Sequence, residues 1–503
     1  MRKIILTLTI ICILCSCAVG PDYVRPPVNV PVKFKEAKSK SVIAPRKSKN
    51  WKVAEPQDAC NRGEWWRVFH DPVLNNLELQ LNRSNQTILN AFENYCQARA
   101  LVDEARASFF PTLAASLSFT RQKSGGGSSS FVSSSSSGTS STGTAVTGSS
   151  SSSSSISSSR TWLVNASWEP DIWGTVRRTV EADVDAAQAS AALYALTRLS
   201  SQGSLAQYYF ELRGLDNIQR LLDNTVRDYK KALQLTKNQY AAGTSSLADI
   251  ALAQSVLQNA EASAINNGIL RGQYEHAIAV LIGLPPAEFC IHASGNYYLT
   301  PPPVPIAVPS TLLERRPDIA QAERLMAQAN AQIGVAVSAY YPTVTLTGSA
   351  SSTAQGLGPI SSIPTIGWSL GAQLADTILD GGLRSATVNA AQVGYLANVA
   401  SYRQVVLAAF QDVEDNLISL RILNEQAIVE KEAVKSARLA LKLVLDQYKS
   451  GTVAYSSVIT AQVTAFTAEQ TAANVDYLRM TSAVNLIKAL GGGWDAASIN
   501  AAG

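Results

Sequence analysis

Charged residues and long apolar runs are both scarce in this sequence. Only 16% of its 503 residues are charged and the formal net charge is +4, so no strong field favours a nucleic-acid partner. No run of 18 or more apolar residues follows the N-terminus, and a membrane-spanning helix is therefore not expected. The sequence predicts neither a nucleic-acid-binding protein nor a helical membrane protein.

Residues that carry chemistry are also sparse. The three histidines, His70, His276 and His292, are scattered without the spacing of metal ligands. The sequence has no Walker-type phosphate loop, no G-x-S-x-G elbow and no H-E-x-x-H helix. We therefore predict a protein that is not an enzyme and that holds no metal and no cofactor.

The N-terminus has the features of a bacterial lipoprotein signal peptide, predicted for residues 1–16. Two basic residues precede the apolar residues 4–14, a stretch too short to span a membrane. Small Ser16 precedes Cys17, which is the predicted lipid acceptor, and Ala18 in place of aspartate favours the outer membrane. An ordinary secretory signal with incidental cysteines is the alternative.

Few cysteines remain once the predicted signal and acceptor are set aside. They are Cys60, Cys96 and Cys290, and three cysteines do not make a disulfide framework. Packing as small apolar side chains is favoured over a single bridge, which stays open.

An internal duplication is the most informative pattern in the chain. Gln239–Thr244 returns as Gln447–Thr452, an offset of 447 − 239 = 208. The same offset relates Gly283 to Gly491, and it also relates Leu212-Arg213 to Leu420-Arg421. Upstream, Phe109–Leu113 matches Tyr340–Val344 with an offset of 340 − 109 = 231. A constant register of this kind predicts two copies of one structural unit.

The domain organisation follows from the duplication. A lipidated leader and equatorial belt is predicted for 17–70, and the first repeat for 71–284. An equatorial link is predicted for 285–314, the second repeat for 315–491 and a C-terminal tail for 492–503.

A serine-rich insertion distinguishes the first repeat from the second. Residues 124–159 hold 21 serines in 36 positions, too few apolar groups to offset the entropy of ordering. We predict a solvated extracellular loop over 121–160, matched by a shorter loop over 351–364. A linker between two domains is the alternative, which the duplication disfavours.

Alternating segments flank both loops and predict four strands. They lie at about 112–120, 162–170, 343–350 and 365–375, each with one apolar face and one small polar face. Their length suits tilted transmembrane strands. Trp162 and Trp168 lie about 20 Å apart on the apolar face, near the spacing of the two aromatic girdles of a barrel. A soluble hairpin that covers a helical core is the alternative.

Four strands cannot close a barrel, because open edges in lipid leave backbone groups without hydrogen bonds. Strands from several chains must therefore combine. Eight strands give an interior filled by side chains, whereas twelve leave a lumen.

Long helices account for most of the remaining sequence. One helical hairpin is predicted over 174–283 and its counterpart over 382–490. Within them we expect a turn near Leu212–Leu215 and near Leu420–Leu423, and a second turn at Gly243 and at Gly451. Thr244 and Thr452 are expected to cap the helices that follow.

Three groups of residues resemble the bacterial outer membrane efflux proteins, the TolC/OprM/NodT-like lipoproteins. The resemblance covers nearly the whole mature chain, apart from the long serine-rich insertion. The groups are Cys17–Tyr23 with Pro26, Trp65–Pro72 with Leu74 and Leu77, and Leu312–Ile319 with Ala322-Glu323.

The resemblance implies a mainly α fold with a transmembrane β part. Three chains would form a twelve-stranded barrel and a long helical periplasmic tunnel, in contact with outer-membrane lipid, a periplasmic adaptor and an inner-membrane pump. The duct of a type I protein secretion system is an alternative, and a non-pore envelope lipoprotein is a remoter one.

The resemblance also implies an aperture at the periplasmic tip. Asp412 and Asp415 share one helix face, so a trimer would form two carboxylate rings that bind cations. Arg421 or Arg403 would supply salt bridges to hold the gate, although a solvated acidic face is the alternative reading. The tips that contact the adaptor are predicted at Leu212-Arg213 and Leu420-Arg421, where the alternative role is to stabilise a turn.

Overall fold

A computed structural model describes residues 18–28, 30–31, 33–36, 63–123, 156–294, 297, 300–302, 315–355 and 366–492. The predicted signal peptide, Cys17, Cys60, residues 303–314 of the link and the tail beyond 492 lie outside the described residues. So do residues 124–155 of the serine-rich loop and 356–365 of the shorter loop.

Helices make up most of the described chain. Short 3-10 helices span Trp65–Phe69 and Pro286–Glu288. The α-helices are α1 (Pro72–Ser84), α2 (Gln86–Ala107), α3 (Thr175–Ala241), α4 (Leu247–Leu281), α5 (Pro317–Ser338), α6 (Leu383–Lys449) and α7 (Tyr455–Ala489). The strands are β1 (Thr112–Lys123), β2 (Ile156–Trp168), β3 (Thr343–Gln355) and β4 (Ile366–Ala375). Among the described residues, none of the helices combines the length and apolarity that crossing a membrane requires.

The helix lengths show the duplication directly. Helices α2 and α5 have 22 residues each, α3 and α6 have 67, and α4 and α7 have 35. Their starts differ by 317 − 86 = 231, 383 − 175 = 208 and 455 − 247 = 208 residues. The order α–β–β–α–α therefore occurs twice, with the register that the sequence matches give.

The turns predicted near Leu212–Leu215 and Leu420–Leu423 are wrong. Helices α3 and α6 run through both positions without a break, and at 1.5 Å per residue each is about 100 Å long. Gly214 suggested a turn, but a Cβ there would lie 2.9 Å from the Cβ of Tyr477. The glycine allows α7 to approach α3 closely, which is a packing role.

The chain divides into two compact units. One contains residues 103–180 and 334–388 together with the segment that ends at Gly20. Its centre is a single antiparallel sheet in the order β1-β2-β3-β4, so β1 and β4 are edge strands.

The other unit contains the greater part of the helices and three apolar clusters. The first cluster packs α1 against α3 and α4 around Trp66, Leu74 and Tyr209. The second packs α5, α6 and α7 around Phe34, Tyr402 and Val413. The third joins the two repeats near their turns, where Leu233 and Leu257 meet Tyr448 and Val458.

Candidate functional site

One face of the sheet is apolar across all four strands. Cross-strand pairs on it include Leu117 with Trp162 and Ala350 with Trp368. Because successive side chains alternate between faces, every residue in register with these pairs shares the surface. The larger members are exposed, namely Leu113, Leu117, Phe119, Trp168, Ile366, Trp368, Leu370 and Leu374. A contiguous exposed apolar face of this extent indicates an apolar environment.

The opposite face carries small and mostly polar side chains. Ser349 and Ser369 are hydrogen-bonded there at 2.9 Å, and Thr347 lies opposite Gly371. Leu163 is the large apolar exception, opposite Ser116. The two faces thus have the contrast expected of a strand set with lipid on one side and water on the other.

Aromatic side chains gather at the end of the sheet that leads into the helices. The indole of Trp168 donates to the carbonyl of Phe109 (3.0 Å), and that of Trp173 donates to the carbonyl of Pro342 (2.7 Å). Trp173 also stacks on Tyr341, with ring centroids 4.9 Å apart. Aromatic rings with satisfied polar groups are typical of a membrane–water interface.

The first described residues of the chain pack against this same end of the sheet unit. Val19 donates its backbone N–H to Trp173 at 3.1 Å. Arg178 donates to the carbonyls of Val19 and Gly20 at 3.2 and 3.3 Å. A Cβ on Gly20 would lie 2.5 Å from the Cα of Gly334, so only hydrogen fits at this contact. The residues that follow Cys17 are therefore held beside the strand ends.

The hairpins of the helical unit reverse direction at two short turns. Gly243 and Gly451 have φ angles of 78° and 77°, the left-handed conformation that ends a helix. The hydroxyls of Thr244 and Thr452 donate to the carbonyls of the preceding helices, at 3.0 and 2.9 Å. The prediction that these threonines cap the next helices is therefore wrong, because each closes the helix before it.

The two turns differ at the helices that follow them. Ser246 caps α4 and forms a capping box with Asp249. The backbone N–H and hydroxyl of Ser246 hold the pKa of Asp249 below its usual range. Ala454, at the equivalent place before α7, provides no side-chain cap.

Asp412 and Asp415 do not lie near a turn. They lie in the middle of α6, and Asp412 is 451 − 412 = 39 residues, or about 58 Å, from Gly451. Asp412 pairs with Arg316 at 3.1 Å, whereas Asp415 is exposed and accepts from Gln411 at 3.3 Å. The predicted location at the tip is wrong, and a narrowing role for these carboxylates stays a prediction without it.

A cleft of about 180 Å³ surrounds the Asp412 pair. It is lined by residues of α3, α5, α6 and α7, including Asp318 and Lys488. Burial lowers the pKa of the Lys488 ammonium, and nearby Arg316 lowers it further while Asp412 opposes the shift. Two cations and two carboxylates share this cleft, so its charges are balanced within one chain.

Arg421 fastens the N-terminal segment and does not lie at a tip. Its guanidinium pairs with Glu36 at 2.6 Å. Glu414, two turns earlier, accepts the backbone N–H groups of Lys35 and Glu36 at 2.6 and 3.0 Å. Phe34 is 2% exposed between these contacts. Because 385 residues separate Arg421 from Glu36 in the chain, sequence reasoning had no local signal for this contact.

Leu212 and Arg213 are equally far from any hairpin end. Leu212 is fully buried, and the guanidinium of Arg213 pairs with Asp216 at 3.0 Å. Asp216 also pairs with Arg271 at 2.8 Å, and it is 1% exposed. Leu420 is half-buried in the middle of α6. The predicted adaptor-contact tips at these positions are wrong, because the side chains belong to packed helix interiors.

The described residues offer no metal centre, since no group of three or more suitable ligands occurs among them. Of the free cysteines, Cys96 is half-buried and Cys290 is exposed. These two thiols are not bonded to each other within the part of the chain that the structure describes.

Comparisons with known proteins agree on one family. A family model described as outer membrane efflux protein matches residues 79–284 and 308–492. The probable efflux pump outer membrane protein TtgC of Pseudomonas putida is 28% identical over 498 residues, which cover 98% of this chain and 96% of the relative. The cation efflux system protein CusC of Escherichia coli is 25% identical over 485 residues, 96% of each. The solved outer-membrane channel OprN has a TM-score of 0.79 at 26% identity and covers 95% of this chain and 100% of its own.

Proposed function

The chain belongs to the outer membrane efflux protein family and works as an efflux channel of the outer membrane, and from that premise we propose the assembly that forms the channel. Three copies join their sheets into a twelve-stranded barrel in the outer membrane. The long helices form a periplasmic tunnel below it. An inner-membrane pump drives the transport, and the channel conducts passively.

The open, two-faced sheet carries this proposal. Strands β1 and β4 have no neighbour on their outer sides in one chain, and an unpaired backbone edge in lipid costs several kcal/mol for each unsatisfied group, as an order of magnitude. Pairing β4 of one copy with β1 of the next satisfies both edges. The apolar face then meets lipid, and the small polar face lines a water-filled lumen.

A second exposed surface supports self-association. Helix α6 exposes Leu396, Leu407, Ile418 and Val429, one every 11 residues. A spacing of 11 residues is close to three helical turns, so these side chains form one nearly straight stripe. We propose that the stripe packs against a neighbouring copy, which continues the contact made by the sheet edges.

We propose that Cys17 carries a lipid anchor in the inner leaflet of the outer membrane. The contacts of Val19 and Gly20 hold the adjacent chain beside the aromatic end of the sheet. Mass spectrometry of the N-terminal peptide is expected to show acyl groups on Cys17 and none in Cys17→Ser. An unmodified Cys17 in the purified protein would refute the anchor.

We propose that the adaptor contacts the turns at 242–246 and 450–454. These turns are the ends of both hairpins, and their side chains are largely exposed. A photo-crosslinking amino acid at Thr244 or Thr452 is expected to give adducts with the cognate adaptor in cells. The control position is Ile422, which is exposed but lies at the wrongly predicted turn. Adducts at Ile422 alone would contradict the proposal.

The stoichiometry and the pore are tested on the purified full-length chain. Light scattering in detergent is expected to give three chains per particle, and addition to a planar bilayer is expected to give stepwise conductance. The physical reason is that fewer than three four-stranded sheets cannot close around an open lumen. A monomeric particle that leaves the bilayer non-conducting would refute the assembly.

A further inference from the structure

Three cations stand at one end of an otherwise uncharged sheet. Within the four strands the charged residues are Arg121 and Lys123 of β1 and Arg160 of β2, and no strand contains aspartate or glutamate. All three lie toward the end where β1 connects to β2, away from the helices. In the proposed channel that end faces the cell exterior.

The cations lie on the apolar face. Arg160 is directly opposite Phe119, and its guanidinium carbon is 6.0 Å from the centroid of the Phe119 ring. Arg121 and Lys123 are two and four residues beyond Phe119 on the same strand, so their side chains share its face. In an antiparallel ladder Arg160 and Arg121 are diagonal neighbours, with Cα atoms about 7–8 Å apart. The three side chains therefore form one outward-facing cluster.

Their height fits the boundary of the lipid interior. Arg121 is nine residues from the start of β1 at Thr112. With a rise of about 3.4 Å per residue and a strand tilt of about 40°, it lies roughly 23 Å above that start. The apolar band of a transmembrane barrel is about 25 Å tall. Lys123 lies above the band, and Arg160 is long enough to extend its charged group to the same level.

We propose that Arg121, Lys123 and Arg160 bind the phosphate groups of a phosphorylated glycolipid of the outer leaflet, of the lipid A type. This inference rests on the proposed channel, because the channel sets which leaflet the cluster meets. Guanidinium groups match phosphate oxygens in pairs, and the lysine adds a compact positive charge. No carboxylate in the strands competes for them. The exposed Leu117 and Phe119 just below provide an apolar surface for acyl chains.

The test uses the full-length trimer and native mass spectrometry with three probes. They are bisphosphorylated lipid A, its dephosphorylated form and dioleoylphosphatidylglycerol. The variants are R121Q/K123Q/R160Q and the charge-conserving R121K/K123R/R160K. The matched control K237Q/K431Q/K442Q removes three exposed charges from the helices instead.

Wild-type protein is expected to prefer bisphosphorylated over dephosphorylated lipid A by about 10- to 100-fold, since each cation near an anionic surface adds to the attraction. The glutamine variant loses this preference, whereas the charge-conserving and helix variants keep it. Equal binding of the two lipid A forms, or an unchanged glutamine variant, would overturn the proposal. Phosphatidylglycerol binding as tightly as lipid A would also overturn it, because it would assign the cluster to ordinary phospholipid.

Conductance of the same preparation separates the two levels of the inference. A conducting trimer without phosphate preference refutes the lipid site and leaves the channel standing. A preparation that forms no trimer and no pore refutes the proposed function itself.

Discussion

Gly283→Ala is expected to lower the free energy of unfolding by about 2 to 5 kcal/mol, the sum of left-handed strain and overpacking. Gly283 has a φ angle of 75°, and a Cβ there would lie 2.3 Å from the carbonyl oxygen of Ser84. Backbone cannot move aside as a flexible side chain does, so α4 must separate from the end of α1. Denaturant unfolding of the full chain, followed by helical circular dichroism, measures the effect.

The matched control is Gly243→Ala, which isolates the backbone strain. Gly243 has nearly the same φ angle, 78°, but no atom lies within 4 Å of its added Cβ. We expect a cost of only about 1–2 kcal/mol there. The second repeat offers the same comparison, because Gly491 faces the carbonyl oxygen of Arg315 at 2.8 Å while Gly451 faces open space. Equal midpoints for Gly283→Ala and Gly243→Ala would contradict the packing argument.

Leu370→Arg is expected to prevent membrane insertion of the assembled channel. Leu370 is 80% exposed on the apolar face near the middle of β4. Arginine on the lipid face of a barrel costs about 2–4 kcal/mol at the bilayer midplane. Three copies multiply that cost in a trimer, so the yield of folded protein in lipid vesicles should fall at least about tenfold, as expected for a loss above 1.4 kcal/mol.

The control for this prediction is its neighbour, Ser369→Arg. Ser369 has the same depth in the sheet but lies on the small polar face, where it is hydrogen-bonded to Ser349. Arginine there remains in water in a twelve-stranded lumen, so we expect insertion close to wild type. If Ser369→Arg blocks insertion and Leu370→Arg does not, the two faces have been assigned the wrong way round.

Patterns with a short period gave the parts of the fold that the sequence predicts well. Period-two alternation located strands that start at Thr112, Thr343 and Ile366, within one residue of the predicted starts at 112, 343 and 365. The observed β1 and β3 extend further, to Lys123 and Gln355, because paired neighbours continue the ladder beyond the apolar residues. The match between Gly283 and Gly491 predicted repeat-related helix ends, and the structure shows them.

Contacts between distant segments explain what the sequence could not give. Gly214 looked like a turn residue, and only the position of Tyr477 shows that it is a packing residue. Arg421 looked like a tip residue, and only the position of Glu36 shows that it fastens the N-terminal segment. In both cases a glycine or a charge has several local explanations, and tertiary packing decides among them. The carboxylates of α6 were misplaced because the tip was misplaced.

The unequal caps of α4 and α7 lower the symmetry that the duplication would otherwise give. Equal helix lengths place two similar hairpin ends on each chain, so a ring of three chains presents six ends in near-sixfold arrangement. A side-chain cap contributes about 1 kcal/mol to a helix start, and only the Ser246 turn of each pair has one. Firm and loose ends therefore alternate around the ring. A binding partner with six identical copies would meet two kinds of seat, and its natural stoichiometry is three pairs.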